Sequence, residues 1–131
     1  LNLINGLCAY TVQVTKNEKN FPKRDRWVLT APIVKEAMLA YTHARKANAV
    51  KVVTVSDYEY RRSQQVKARA AIEALIGLIE IAYTCLSLEG DRVEYWVKYA
   101  MSCEEQLAKW RASDRKRYAK IFKNSDETGN G

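Results

Sequence analysis

Apolar residues return at spacings of three and four along four separate stretches of the chain. The longest stretch runs from Ser56 to about Leu88, where Ala68, Ile72, Leu75, Ile79, Ala82 and Leu86 fall on one stripe of a helix. Arg62, Arg69, Glu73 and Glu80 fall on the opposite side. Such a helix is roughly 45 to 50 Å long at 1.5 Å per residue. It is too long and too one-sided to stand alone, so the rest of the chain is expected to cover its stripe. Ser56-Asp57-Tyr58-Glu59 has the capping-box pattern, a hydroxyl followed three residues later by a carboxylate.

Three more helices follow from the same periodicity. Leu3, Leu7, Tyr10 and Val14 predict the first. Phe21-Pro22 closes it off, because the residue before a proline disfavours the helical region. Thr30 is the predicted cap of the second, with Pro32 in its first turn and Ile33, Ala37, Ala40, Ala44 and Ala47 as a narrow apolar stripe. Glu89-Gly90 predicts a break after the third helix, with Gly90 in the left-handed C-terminal position. Asp91 and Glu94 form a second capping-box-like start, followed by Val93, Trp96, Ala100, Cys103, Leu107 and Trp110. The expected helices lie near 3–17, 30–49, 57–88 and 91–120. Short connections make them an all-α, up-down-up-down four-helix bundle. Val50 to Val55 is rich in β-branched residues but has no second strand to pair with. It reads as an extended connector or a frayed helix end, the alternative being an edge that pairs with another copy.

Composition narrows the class. With 131 residues, five glycines and two prolines, the chain forms one domain, a bundle over 1–123 followed by a disordered polar tail over 124–131. No apolar run reaches the roughly 18 residues that span a membrane. The start, Leu1-Asn2-Leu3-Ile4, lacks the basic flank and cleavage site of a signal peptide, and the absence of an initial Met implies missing upstream residues. Cys8, Cys85 and Cys103 are odd in number and far apart, so reduced thiols and a cytoplasmic location are expected. The formal charge of +7 points to a polyanionic partner.

Catalysis finds no footing in the sequence. His43 is the one histidine, and no cysteine spacing beside it suits zinc. A di-iron bundle needs Glu-x-x-His pairs, and Ala40 stands where the glutamate belongs. Glu104 and Glu105 are adjacent and so diverge on a helix, and Glu73 and Glu80 read as surface charges. No glycine-rich phosphate loop or nucleophile elbow is present. The expectation is no enzyme, no metal and no cofactor.

Basic residues form three clusters: Lys23, Arg24 and Arg26; Arg61, Arg62, Lys67 and Arg69; and Arg111, Arg115, Lys116 and Arg117, continuing to Lys123. Antiparallel third and fourth helices bring the second and third clusters to one end of the bundle, where concentrated charge suits phosphate. The arginines of the second cluster are expected to be exposed. Trp27, Tyr58, Tyr60 and Tyr118 lie beside the clusters, placed either to stack on unpaired bases or to pack the bundle ends. No base-reading motif is present, so backbone- and shape-directed binding to structured RNA or RNA–DNA hybrid is expected.

Phe21-Pro22-Lys23-Arg24-Asp25-Arg26-Trp27-Val28-Leu29-Thr30, lying between two predicted helices, carries a family resemblance. Together with Leu78 to Tyr83 and Leu107 to Trp110 it resembles the small four-helix-bundle family of the accessory variability determinant (Avd) of diversity-generating retroelements and the 23S ribosomal RNA intervening-sequence proteins. The likeness covers about residues 3 to 118. The intervening-sequence branch has Ser-x-x-x-Asn-Ile-Ala-Glu-Gly where this chain has Glu36-Ala37-Met38-Leu39-Ala40-Tyr41, so the Avd branch fits better. The chain departs from the family at Ala108-Lys109, where small residues are usual, and at Glu80, where the Avd branch often has Arg. The resemblance implies a homopentameric basic barrel, non-catalytic, that binds a reverse transcriptase and nucleic acid and supports complementary-DNA synthesis from template-repeat RNA. The competing readings are a structural helical adaptor and a ribosomal-RNA-associated bundle protein.

Overall fold

A computed structural model describes residues 1–123; the tail expected over 124–131 lies outside the described residues. The described residues are helical and contain no strand. Four long helices, α1 (Asn2–Lys16), α2 (Ala31–Ala49), α3 (Val55–Cys85) and α4 (Gly90–Arg117), pack in a bundle-like arrangement. Contacts run between α1 and α2, α2 and α3, α3 and α4, and α4 and α1, closing a ring around one core. Neighbours are antiparallel. Arg61 early in α3 meets Asp114 late in α4, and His43 late in α2 meets Gln64 early in α3.

The core is built largely from the periodic residues. Ile33, Ala37, Ala40, Ala44 and Ala47 of α2 face Ala68, Ile72, Leu75, Ile79 and Ala82 of α3, all at most 1% exposed. Alanine removes side-chain bulk from α2, so its backbone lies close against α3. Helix α1 is rotated by about one residue from the expected stripe. Ile4, Leu7, Cys8, Thr11 and Thr15 are buried, while Leu3, Tyr10 and Val14 sit at its margin. The two threonines enter the core because each hydroxyl donates to a carbonyl one turn back, Thr11 to Leu7 and Thr15 to Thr11, both at 2.8 Å. Thr11 Oγ1 also accepts from Trp96 Nε1 at 3.0 Å, tying α1 to α4.

The helix ends differ from expectation at four points. The capping box of α3 is Thr54 with Asp57, two residues before the predicted Ser56–Glu59. Thr54 is extended and its hydroxyl accepts from Asp57 N–H, while Asp57 Oδ2 accepts from the Val53 and Thr54 amides, both at 3.0 Å. Those amides hold the Asp57 carboxyl below its ordinary range. The connector before it, Val50 to Thr54, is extended at both ends, in keeping with the extended connector that its β-branched residues predict.

Thr30 does not cap α2. Its backbone is already helical, at φ −61° and ψ −52°, whereas a cap needs extended dihedrals. Residues Arg26–Thr30 form a π-helical turn in which Ala31 N–H bonds back to the Arg26 carbonyl. Pro32 accounts for it: it has no N–H to give the Val28 carbonyl, and its ring crowds that carbonyl, so the turn widens.

Gly90 does not terminate α3. It opens α4, and no described residue has a positive φ. Helix α3 ends when Leu86 turns extended, and Leu86 and Leu88 pack against the core. Glu94 makes no cap; it pairs with Lys98 at 2.7 Å. No helix among the described residues is long and apolar enough to cross a membrane.

Candidate nucleic-acid interface

The basic residues divide between the two ends of the bundle. At one end lie the start of α1, the end of α2, the start of α3 and the end of α4, with Leu1, Asn48 and Trp110 sharing one cleft. Arg61, Arg62, Arg111, Arg115, Lys116 and Arg117 belong to this end. At the other end lie Lys16, the connector through Lys23, Arg24 and Arg26, and the α3–α4 turn with Arg92. The second and third clusters therefore converge, and the first stands apart from them by the length of the bundle.

Arg61 corrects the expectation that its whole cluster is exposed. It is buried, 7% exposed, and its Nε and Nη2 donate to Asp114 at 2.7 and 3.1 Å. Gln65 Nε2 donates to the same carboxylate at 2.8 Å. The guanidinium lies 5.0 Å from the Trp110 ring centre and 5.9 Å from that of Tyr118. The reason is positional: residue 61 falls on the α3 stripe that continues through 65, 68 and 72, so its head turns inward and requires a buried anion. Its charge is neutralised within the fold and does not face a phosphate.

The neighbours of Arg61 stay outside. Arg62, Lys67, Arg115, Lys116 and Arg117 are exposed, and Arg111 is half-buried. Arg69 is exposed but sits 3.7 Å from Glu104. Arg117 lies over the Tyr118 ring at 5.3 Å. Tyr58 is buried and packs edge-on against Tyr118 and Phe122, so Tyr58 closes the bundle end instead of meeting bases. Tyr60 is half exposed and free to stack.

The opposite end is more open. Lys23, Arg24 and Arg26 are all exposed, with only loose ion pairs, Lys23 to Glu18 at 3.8 Å and Arg24 to Asp25 at 3.6 Å. Between Arg26 and Val28 stands Trp27, 81% exposed, the most exposed large apolar side chain described. The π-turn sets it there: Leu29 turns into the core at 5% exposure, so Trp27 and Val28 point outward.

Three features escaped the sequence reading. Glu73 and Glu104 come together across α3 and α4. Burial, with the hydrogen bond and charge of Glu73, pushes the Glu104 carboxyl up to about 7 against the opposing pull of Arg69. A heptad register of both helices would have shown Glu73 and Glu104 on facing flanks. Tyr10, Tyr95 and Tyr99 form an aromatic cluster on the α1–α4 face, with ring centres 5.3 to 6.1 Å apart. Gly6 makes room for it, because a Cβ there would collide with the Tyr99 phenol. Asp114 as the anion for Arg61 is the third; its isolation among cations at 111 to 117 was the available signal. His43 Nδ1 donates to Gln64 Oε1 at 2.7 Å, a structural hydrogen bond between α2 and α3.

Comparison with family models, with curated proteins and with solved structures gives no match to this chain.

Proposed function

We propose that this chain is a non-catalytic, Avd-like accessory subunit of a diversity-generating retroelement reverse transcriptase. In this reading it is a cytoplasmic homopentamer that holds structured RNA or RNA–DNA hybrid while complementary DNA is made from template-repeat RNA. The retroelement, the reverse transcriptase and the ring of five come from the family resemblance of residues 21–30, 78–83 and 107–110. Nucleic-acid binding has support of its own, and one observation carries it: cations stand exposed at both ends of the bundle, and at one end they surround an outward Trp27. Lys23, Arg24 and Arg26 would meet phosphates at the open end. Arg62, Arg115, Lys116 and Arg117 would do so at the other, with Arg111, Lys67 and Arg69 at its margin. Arg61 is a positioning residue, holding the end of α4 through Asp114.

The mechanism is release of condensed counterions when lysine and arginine neutralise phosphate. Affinity should fall with salt by roughly 0.7 to 0.9 log units per log unit of salt for each phosphate contacted. Filter binding of a structured RNA tests this with two triple variants, Lys23→Glu/Arg24→Glu/Arg26→Glu and Arg115→Glu/Lys116→Glu/Arg117→Glu. Each should bind more weakly and lose about 2 to 3 units of salt slope. If both bind like the wild type and no curve moves with salt, the basic ends are not the site and the structural-adaptor reading replaces this one.

A further inference from the structure

The outward face of α3 exposes apolar residues that nothing in the chain covers. Val66 and Ile81 are 43% and 51% exposed. Gly77 lies between them inside the helix, and a Cβ built on it meets nothing within 4 Å. No contact within this chain therefore calls for a glycine at that point. Along one flank of the face run Arg62, Arg69, Glu73 and Glu80, all exposed. The order is two cations and then two anions, at spacings of seven, four and seven. Reversed, that order is its own complement.

We propose that this face of α3 docks on the same face of a second copy, antiparallel, about a twofold axis passing beside residue 71. The axis sets Arg62 against Glu80 of the second copy and Arg69 against its Glu73. It also brings Val66 to within one residue of the level of Gly77 of the second copy, about 1.5 Å along the helix, where the missing side chain leaves room. In antiparallel helix pairs like flank meets like flank, so the four charges pair without crossing the apolar centre. A twofold contact must be self-complementary, and few arrangements other than a reversed copy would use this symmetry of charge. Arg69 and Glu73 are already engaged with Glu104. Arg62 and Glu80 have no ion-pair partner among the described residues, so the outer pairs carry the specificity.

This contact goes beyond the proposed ring of five, and together the two readings give two such rings paired face to face, ten chains in all. A five-membered ring is closed by head-to-tail contacts, and a twofold contact would join two subunits, or two rings. The test is the mass in solution, without nucleic acid, of wild type, Arg62→Glu, Glu80→Arg and an equimolar mixture of the two variants. Wild type should be even-numbered, a dimer or a pair of rings. Each variant alone sets like charges face to face twice and should fall to half that mass. The mixture restores both attractive pairs and should recover the wild-type mass with one chain of each kind in every pair. Gly77→Leu should also halve the mass, because it fills the space beside Val66, and the Cβ it adds meets nothing in its own chain. An odd-numbered wild type, variants that keep the wild-type mass, or a mixture that does not recover it would overturn the proposal. A fall from ten to five leaves the ring reading intact, and a wild-type dimer that falls to monomer removes it.

Discussion

Asp114 is the residue on which one end of the molecule depends. It accepts three hydrogen bonds, two from Arg61 and one from Gln65, and it is 3% exposed. Removing one member of a buried ion pair leaves a charge without solvent or partner, which costs about 3 to 5 kcal/mol. Asp114→Ala should lose that much in urea denaturation. Arg61→Met/Asp114→Leu removes both charges and should lose far less, since apolar replacements of buried pairs are often neutral. Equal losses in the two variants would show that the pair is not the cause. The cysteines give a second check at this scale. Burial pushes the Cys103 thiol up to about 12 and raises Cys8, whereas Cys85 is exposed. Alkylation of the native protein at neutral pH should therefore modify Cys85 alone, since thiolate is the reacting form. Labelling of Cys103 at the same rate would mean that the α4 stripe opens readily.

At the scale of the elements, the seam between α3 and α4 makes stability depend on pH through Glu104. Its carboxyl is raised from 4.5 to about 7 by burial and by Glu73. The folded state therefore keeps a proton that the unfolded state gives up, and the unfolded state binds fewer protons between those values. Stability is greatest below 4.5 as far as this group is concerned and falls as pH rises toward 7. Glu104→Gln should flatten thermal stability across that window, read from melting curves at several pH values. A variant curve as steep as the wild type would assign the dependence elsewhere. The helices themselves were legible because burial repeats with helical period. In α2 and α3 every stripe residue from Ile33 to Ala47 and from Ala68 to Ala82 is buried as its spacing requires. Helix ends were not legible, because they turn on one or two backbone dihedrals. Ser56 and Thr54 offer the same hydroxyl, and the choice falls to the residue whose extended backbone and carboxylate three residues on can bond reciprocally. The π-turn at Arg26–Thr30 depends on what Pro32 denies to a carbonyl four residues earlier, a relation that no apolar spacing records. The basic site was legible as charge but not as exposure: Arg61 and Arg62 are alike in sequence and differ by 100° around the helix.

At the scale of the whole molecule, the two basic ends set a length. Helix α3 has 31 residues and runs about 46 Å at 1.5 Å per residue, which separates the exposed cations at its start from the Lys23–Trp27 connector at the far end. A B-form DNA duplex advances about 3.4 Å per base pair, so roughly 13 or 14 base pairs cover that distance. A shorter duplex reaches one end only. A longer one engages both, and the second contact then forms at high effective concentration, so affinity should rise in a step and not in proportion to length. The salt slope should rise at the same length, because more phosphates are neutralised together. Measured on a set of DNA duplexes spanning about 8 to 24 base pairs, wild type should show the step near 14. The Lys23→Glu/Arg24→Glu/Arg26→Glu variant should lose the step while retaining the affinity of the short duplexes, because the Arg62 and Arg115–Arg117 end remains. A smooth rise with length in both proteins would mean that the two ends bind independently. A step that survives in the variant would place the second contact on another subunit.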